Sequence, residues 1–227
     1  MRKAVLWSLA MVLATSLTLI SCASSETSGR NKGEGGQKTS EESQDKGQGG
    51  KETLVYGRGA DSASLDPITV TDNESFKVTK NIYDTLVTYG QEDTAVQPAL
   101  ATEWDISKDG KTYTFKLRQG VKFHDGTDFN ADAVVANFER WMNGKRSEFP
   151  YFGDMFGGYK QEDADLQIIE SVKAVDEYIV QFKLTAPQAP FLKNLAMNPF
   201  AIASPRAIEK YGDNYGSHPV GTGPYVF

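Results

Sequence analysis

The chain has one cysteine and two histidines in 227 residues. No internal disulfide can form, and the soft ligands of a zinc cluster are missing. Basic charge is also short: 24 Lys and Arg stand against 30 Asp and Glu, a net of −6, which gives nucleic acid no positive field to bind. Mean hydropathy is −0.44, and only one long apolar run exists, so a polytopic membrane protein is excluded. Apolar residues at 39% still suffice for one or two ordinary globular domains. Phosphate-loop and nucleophile-elbow motifs are absent. Gly57-Arg58-Gly59-Ala60-Asp61-Ser62 nearly matches a dinucleotide fingerprint, but Ser replaces the third glycine and Pro67 interrupts the expected helix. No Ser or Cys nucleophile lies beside His124-Asp125 in sequence, and Asp163 and Asp165 fall in a polar stretch as solvated carboxylates. The reading is not an enzyme, with no cofactor and no metal.

The one apolar run lies at the start. Met1-Arg2-Lys3 is followed by Ala4 to Ile20, the pattern of a secretory signal, whose alternative is a permanent membrane anchor of minimal length. Leu19-Ile20-Ser21-Cys22 resembles a bacterial lipobox, which places a signal peptide over 1–21 and lipidation on Cys22, the only cysteine. Residues 22–53 follow as a tether. From Ser24 to Thr53 there is no aliphatic or aromatic residue, so the segment cannot bury enough area to offset its ordering entropy. A flexible coil of this length reaches on the order of 30 Å. Such a tether resembles those of Gram-positive lipoproteins on the outer face of the cytoplasmic membrane.

Residues 54–227 read as mixed α and β. Thr53 to Tyr56 is a short strand by pattern, and Thr71 with Glu74 is a capping box for a helix carrying Phe76, Thr79, Tyr83, Leu86 and Val87. Glu103–Ile106 and Lys111–Leu117 flank the turn Ser107-Lys108-Asp109-Gly110, with Tyr113, Phe115 and Leu117 on one face. Asn130 caps a helix that Asn143-Gly144 stops. A second hairpin runs Ile168–Val175 and Tyr178–Leu184. Pro190 starts a short helix, and Ser204-Pro205 starts another that Gly212 closes. Pro219 to Phe227 leads into an apolar strand-like run whose last residue looks like a cut. Five aromatics crowd Phe149 to Tyr159 among glycines. They are either core packing under a loop or the apolar wall of a ligand cleft, Tyr151, Phe152, Met155 and Phe156 being the candidates.

Several stretches, in order, resemble one family, the extracellular solute-binding proteins of peptide and nickel ABC importers. They include Asn81 to Val87, Pro98 to Trp104, Gly110 to Arg118, Gly120 to Gly126, Phe129 to Val135, Val172 to Asp176, Ala189 to Leu192 and Pro219 to Tyr225. Ala189 to Met197 is similar to the dipeptide-binding branch. The resemblance implies a periplasmic-binding-protein-like type II fold, here a partial first lobe plus an accessory subdomain, the second lobe being absent. It implies a peptide ligand held by backbone hydrogen bonds and by charges at its two ends, and ABC permease subunits as partners. The terminus-binding residues would lie beyond Phe227, so residues 54–227 alone are expected to bind peptide weakly or not at all. Within the chain, Gly59, Ala60, Asp61, Ser62, Ala63 and Ser64 match a family segment that approaches the ligand backbone; otherwise they are a plain turn. The competing readings are a stand-alone surface interaction lipoprotein with half the receptor fold, a secreted hydrolase, and a receptor for nickel or another small solute. Only His124 and His218 are present for nickel.

Overall fold

A computed structural model describes residues 53–227; the expectations for the signal peptide, Cys22 and the tether up to Glu52 fall outside the described residues. The body from Leu54 to Phe227 is a single unit. Its helices are α1 (Asn73–Ile82), α2 (Ala131–Asn143), α3 (Pro150–Phe156), α4 (Phe191–Leu195) and α5 (Pro205–Tyr211). Its strands are β1 (Val87–Tyr89), β2 (Val96–Pro98), β3 (Ala101–Ile106), β4 (Thr112–Leu117), β5 (Ile169–Asp176) and β6 (Ile179–Leu184). β1 and β2 form a small antiparallel ribbon, and the other four strands form an antiparallel sheet in the order β3-β4-β6-β5.

Alternation builds the sheet. Tyr113, Phe115 and Leu117 of β4 and Val180, Phe182 and Leu184 of β6 all point inward and are buried. In register Phe115 opposes Val180 and Tyr113 opposes Phe182, so inward residues lie side by side. The outer face is wet and carries the cross-strand pairs Glu103–Lys116 and Glu170–Lys183, both exposed and screened by water, so they add little. Gly110 closes the β3–β4 turn with φ +68°, a conformation that a glycine adopts without cost.

Helix α2 packs over β5 and β6. Asn130 caps it, its side chain accepting from the Ala133 amide at 3.0 Å, and Val134, Phe138, Trp141 and Met142 form its buried stripe. Phe138 meets Phe182 edge-on at 4.8 Å and Trp141 at 4.5 Å. Phe152, Phe156, Phe191 and Phe200 complete an aromatic core over the inner sheet face. Each such ring contributes about 1.5–3 kcal/mol on burial.

Five expectations need correction. Thr53 to Tyr56 is not a strand: it pairs with no described strand, and Leu54, Val55 and Tyr56 are 84%, 87% and 65% exposed. Tyr225 to Phe227 is likewise exposed and in no strand. Asp72, not Thr71, caps α1, accepting from the Ser75 amide at 2.8 Å, while Glu74 pairs with Lys77 instead of reaching back. Leu86 and Val87 lie beyond the helix, which ends at Ile82. Finally, the aromatic run is not all loop: Pro150 at the first helical position starts α3.

Candidate functional site

The segment Gly59 to Ser64 lies on the surface, partly or fully exposed, and side chains of the body fix it from beneath. The Arg58 guanidinium donates to Ser62 Oγ at 2.8 Å and to the Glu74 carbonyl at 3.2 Å. The Ala63 amide donates to Ser75 Oγ at 2.9 Å, in the first turn of α1. Ser64 Oγ accepts from the Asp66 amide at 3.1 Å and from Thr69 Oγ1 at 3.0 Å. A Cβ on Gly59 would meet only Glu74 Oε1, at 3.7 Å, so neither packing nor backbone angle within the body demands glycine there. Close approach from outside is left open.

Just past this segment the chain is anchored deeply. Asp66 is buried and accepts two bonds from Arg140 of α2, at 2.6 and 3.3 Å. The Leu65 amide donates to the Gly216 carbonyl at 2.9 Å, and the Leu65 carbonyl accepts from Tyr83 Oη at 2.9 Å. Tyr83 Oη lies 2.9 Å from Tyr215 Oη. Burial pushes the Tyr83 phenol far above its ordinary 10.0, with Tyr215 adding to the effect, and burial raises Tyr215 as well. Both folded values exceed the unfolded one, so the folded state keeps protons that the unfolded chain releases. Their stabilisation is complete below about pH 10 and is lost as pH rises above it. Denaturant midpoints should therefore hold steady up to about pH 10 and then fall, and Tyr83→Phe should make that fall shallower. An identical slope in the variant would contradict this assignment.

The aromatic candidates divide by helical spacing. Tyr151 and Met155 are one turn apart and half-buried; Phe152 and Phe156 sit on the neighbouring stripe and are 1% exposed. Phe152 and Phe156 are thus core residues, and their expected place on a cleft wall is corrected. The Tyr151 ring lies 6.2 Å from that of Phe76, and Phe76 follows Ser75, which holds Ala63. Helix α3 also packs against the short turn Pro67–Thr69. Loop 59–64, the first turn of α1 and the outer stripe of α3 therefore belong to one neighbourhood.

His124-Asp125 does structural work. His124 Nε2 bonds the Gly223 carbonyl at 2.8 Å, and its amide donates to the Gly221 carbonyl. Ser204 Oγ, brought in from 79 residues away, donates to Asp125 Oδ2 at 2.7 Å while accepting from the Ala207 amide. That serine is fully buried and bonded to a carboxylate, not to the imidazole, so it forms no nucleophile–base pair. Sequence spacing gave no signal of this contact. Nor did it signal Arg140–Asp66, which joins residues 74 apart. Among the described residues no group of three or more His, Cys, Asp or Glu could hold a metal, and no helix is long and apolar enough to cross a membrane.

Within the described residues the core thus presents a pinned surface loop beside an aromatic stripe. The profile of the bacterial extracellular solute-binding proteins, family 5, matches residues 95–227. The chain is 40% identical over 173 residues to the glutathione-binding protein of Pectobacterium atrosepticum, covering 76% of this chain and 31% of that one. It is 39% identical over 187 residues to the dipeptide-binding protein of Escherichia coli, covering 76% and 34%. The periplasmic binding protein of Helicobacter pylori in complex with peptide STSA superposes with a TM-score of 0.63 at 39% identity, over 74% of this chain and 35% of that one. The chain belongs to family 5 of the bacterial extracellular solute-binding proteins. It spans about a third of the length of the curated relatives it matches.

Proposed function

We propose that this chain supplies the opening segments of the first lobe, with the accessory subdomain, of a peptide-binding receptor for an ABC importer. The observation that carries the reading is the meeting of two stretches far apart in sequence, loop 59–64 and the Tyr151 stripe, through Ser75 and Phe76. An exposed backbone segment beside half-buried rings suits an extended peptide: main-chain groups give affinity and the rings take an apolar side chain. The relatives named above bind peptides or glutathione, itself a modified tripeptide, which supports the same ligand class.

In this reading the receptor is exported, is lipidated on Cys22, and works at the membrane beside ABC permease subunits, its tether giving reach toward them. The curated relatives named come from Gram-negative organisms, so tether length alone carries the Gram-positive expectation. Deleting the gene should abolish uptake of a labelled dipeptide, and a restored copy should recover it. A Cys22→Ala copy should shift the protein out of the membrane fraction. Uptake unchanged by the deletion would overturn the receptor reading, and a membrane-bound Cys22→Ala protein would overturn the anchor.

A further inference from the structure

Arg140 occupies an unusual position relative to the two stretches just described. Its guanidinium makes two bonds to Asp66, two residues past loop 59–64, and Asp66 keeps only 5% of its side chain exposed. The same guanidinium lies 5.0 Å from the centroid of Phe149, the residue preceding α3, within cation–π range. Arg140 itself sits in the last turn of α2, a helix built into the aromatic core. One side chain of α2 thus reaches the root of the loop through both its Nη groups, its first arm, and the root of the Tyr151 helix through the cation–π contact, its second.

Other contacts secure each stretch separately. Ser75, Ser64 and the Gly216 carbonyl hold the loop, and the Tyr159 hydroxyl bonds the Phe149 carbonyl and the Gly153 amide. None of these bonds touches both stretches, which otherwise meet only through neighbours, Ser75 with Phe76 and the turn Pro67–Thr69 against α3. A two-point guanidinium–carboxylate contact fixes direction as well as distance, and a ring in cation–π range adds a second point of attachment. We infer that Arg140 is a positioning residue that sets the spacing between loop 59–64 and α3, and hence the fit of the peptide between backbone and rings. The inference rests on the receptor reading for its ligand and on geometry alone for its clamp.

Hydrogen exchange on the full chain separates the two parts. Arg140→Met should speed exchange about tenfold or more at the amides of Ala63 and Leu65 and of Phe152 and Gly153, leaving those of β4 and β6 unchanged. Asp66→Asn, which cuts one arm, should free the first pair only. Phe149→Leu, which cuts the other, should free the second pair only, and these two variants decide the matter if Arg140→Met does not fold. Faster exchange throughout the chain, or both pairs freed by either single-arm variant, would overturn the two-armed clamp. A photoreactive dipeptide supplies the ligand readout: its labelling of 59–64 and Tyr151 should fall severalfold in Arg140→Met. Labelling that is unchanged while both segments loosen would overturn the positioning role. No labelling of the wild type would overturn the pairing of loop 59–64 with Tyr151 around a peptide, and the exchange pattern would still decide the clamp.

Discussion

Phe156→Ala is expected to lower stability by about 3–5 kcal/mol, the usual cost of emptying a buried phenylalanine site. The ring is 1% exposed and lies 4.8 Å from Phe200, 5.4 Å from Phe152, 5.7 Å from Phe191 and 6.4 Å from Phe138. Four aromatic neighbours from four segments cannot all close on one void, so the cavity term persists. Against a typical domain stability of about 5–15 kcal/mol, the loss is a large fraction, and the melting midpoint should drop by roughly 6–20 °C. Tyr151→Ala, one stripe away on the same helix, should cost only about 1 kcal/mol. The contrast separates a core ring from a ring at the surface. Equal losses in the two variants would mean that the stripes of α3 are wrongly assigned.

Gly221→Ala should cost about 1–3 kcal/mol through overpacking, with more lost if the neighbouring bonds break. A Cβ there would overlap the Ile82 carbonyl oxygen and the Tyr83 ring, both in a helix end that cannot retreat. The backbone approaches so closely because this segment is laced to the end of α1. The Gly223 amide donates to the Ile82 carbonyl at 2.8 Å, the Tyr225 amide to the Asn81 carbonyl at 3.0 Å, and Thr222 Oγ1 to Asp84 Oδ2 at 2.8 Å. Urea titration of the variant measures the loss. A midpoint within the error of the parent would show that the segment can lift away, and that the glycines have another purpose.

Those glycines also mark what a sequence reveals and what it withholds. Pro219 to Tyr225 stood out through resemblance, but only the packing against Ile82 explains why Gly221 and Gly223 are glycine. Local rules located β4, β6 and α2 well, because alternation, Asn130 and Gly144 act within a few residues of what they control. They failed at Thr53 to Tyr56, where β-prone residues have no described neighbour to pair with. They misplaced the α1 cap by one residue, since Thr71 and Asp72 are both good caps and only the chain's entry angle chooses. The small β1–β2 ribbon escaped notice because three-residue strands carry too little alternation to register.

The site divides in the same way. Composition singled out the aromatic run, yet it could not separate Tyr151 from Phe152, which differ only in the side of α3 they occupy. Loop 59–64 stood out through resemblance, and its glycine is one that the body itself does not require. Arg140 gave no signal at all. An arginine late in an amphipathic helix reads as a solvated charge favouring the helix dipole, and its partner Asp66 lies 74 positions upstream. Contacts of that separation exist only after folding.

The central claim is that loop 59–64 and the outer stripe of α3 face a peptide together. The most direct measurement is photo-affinity labelling of the full chain with a dipeptide carrying a diazirine side chain, mapped by mass spectrometry, since weak binding is enough to leave a covalent mark. The account predicts adducts on residues 59–64 and on Tyr151 or Met155, competed away by the unlabelled dipeptide. Adducts confined to the wet outer face of β3-β4-β6-β5, or labelling that unlabelled dipeptide does not suppress, would contradict it.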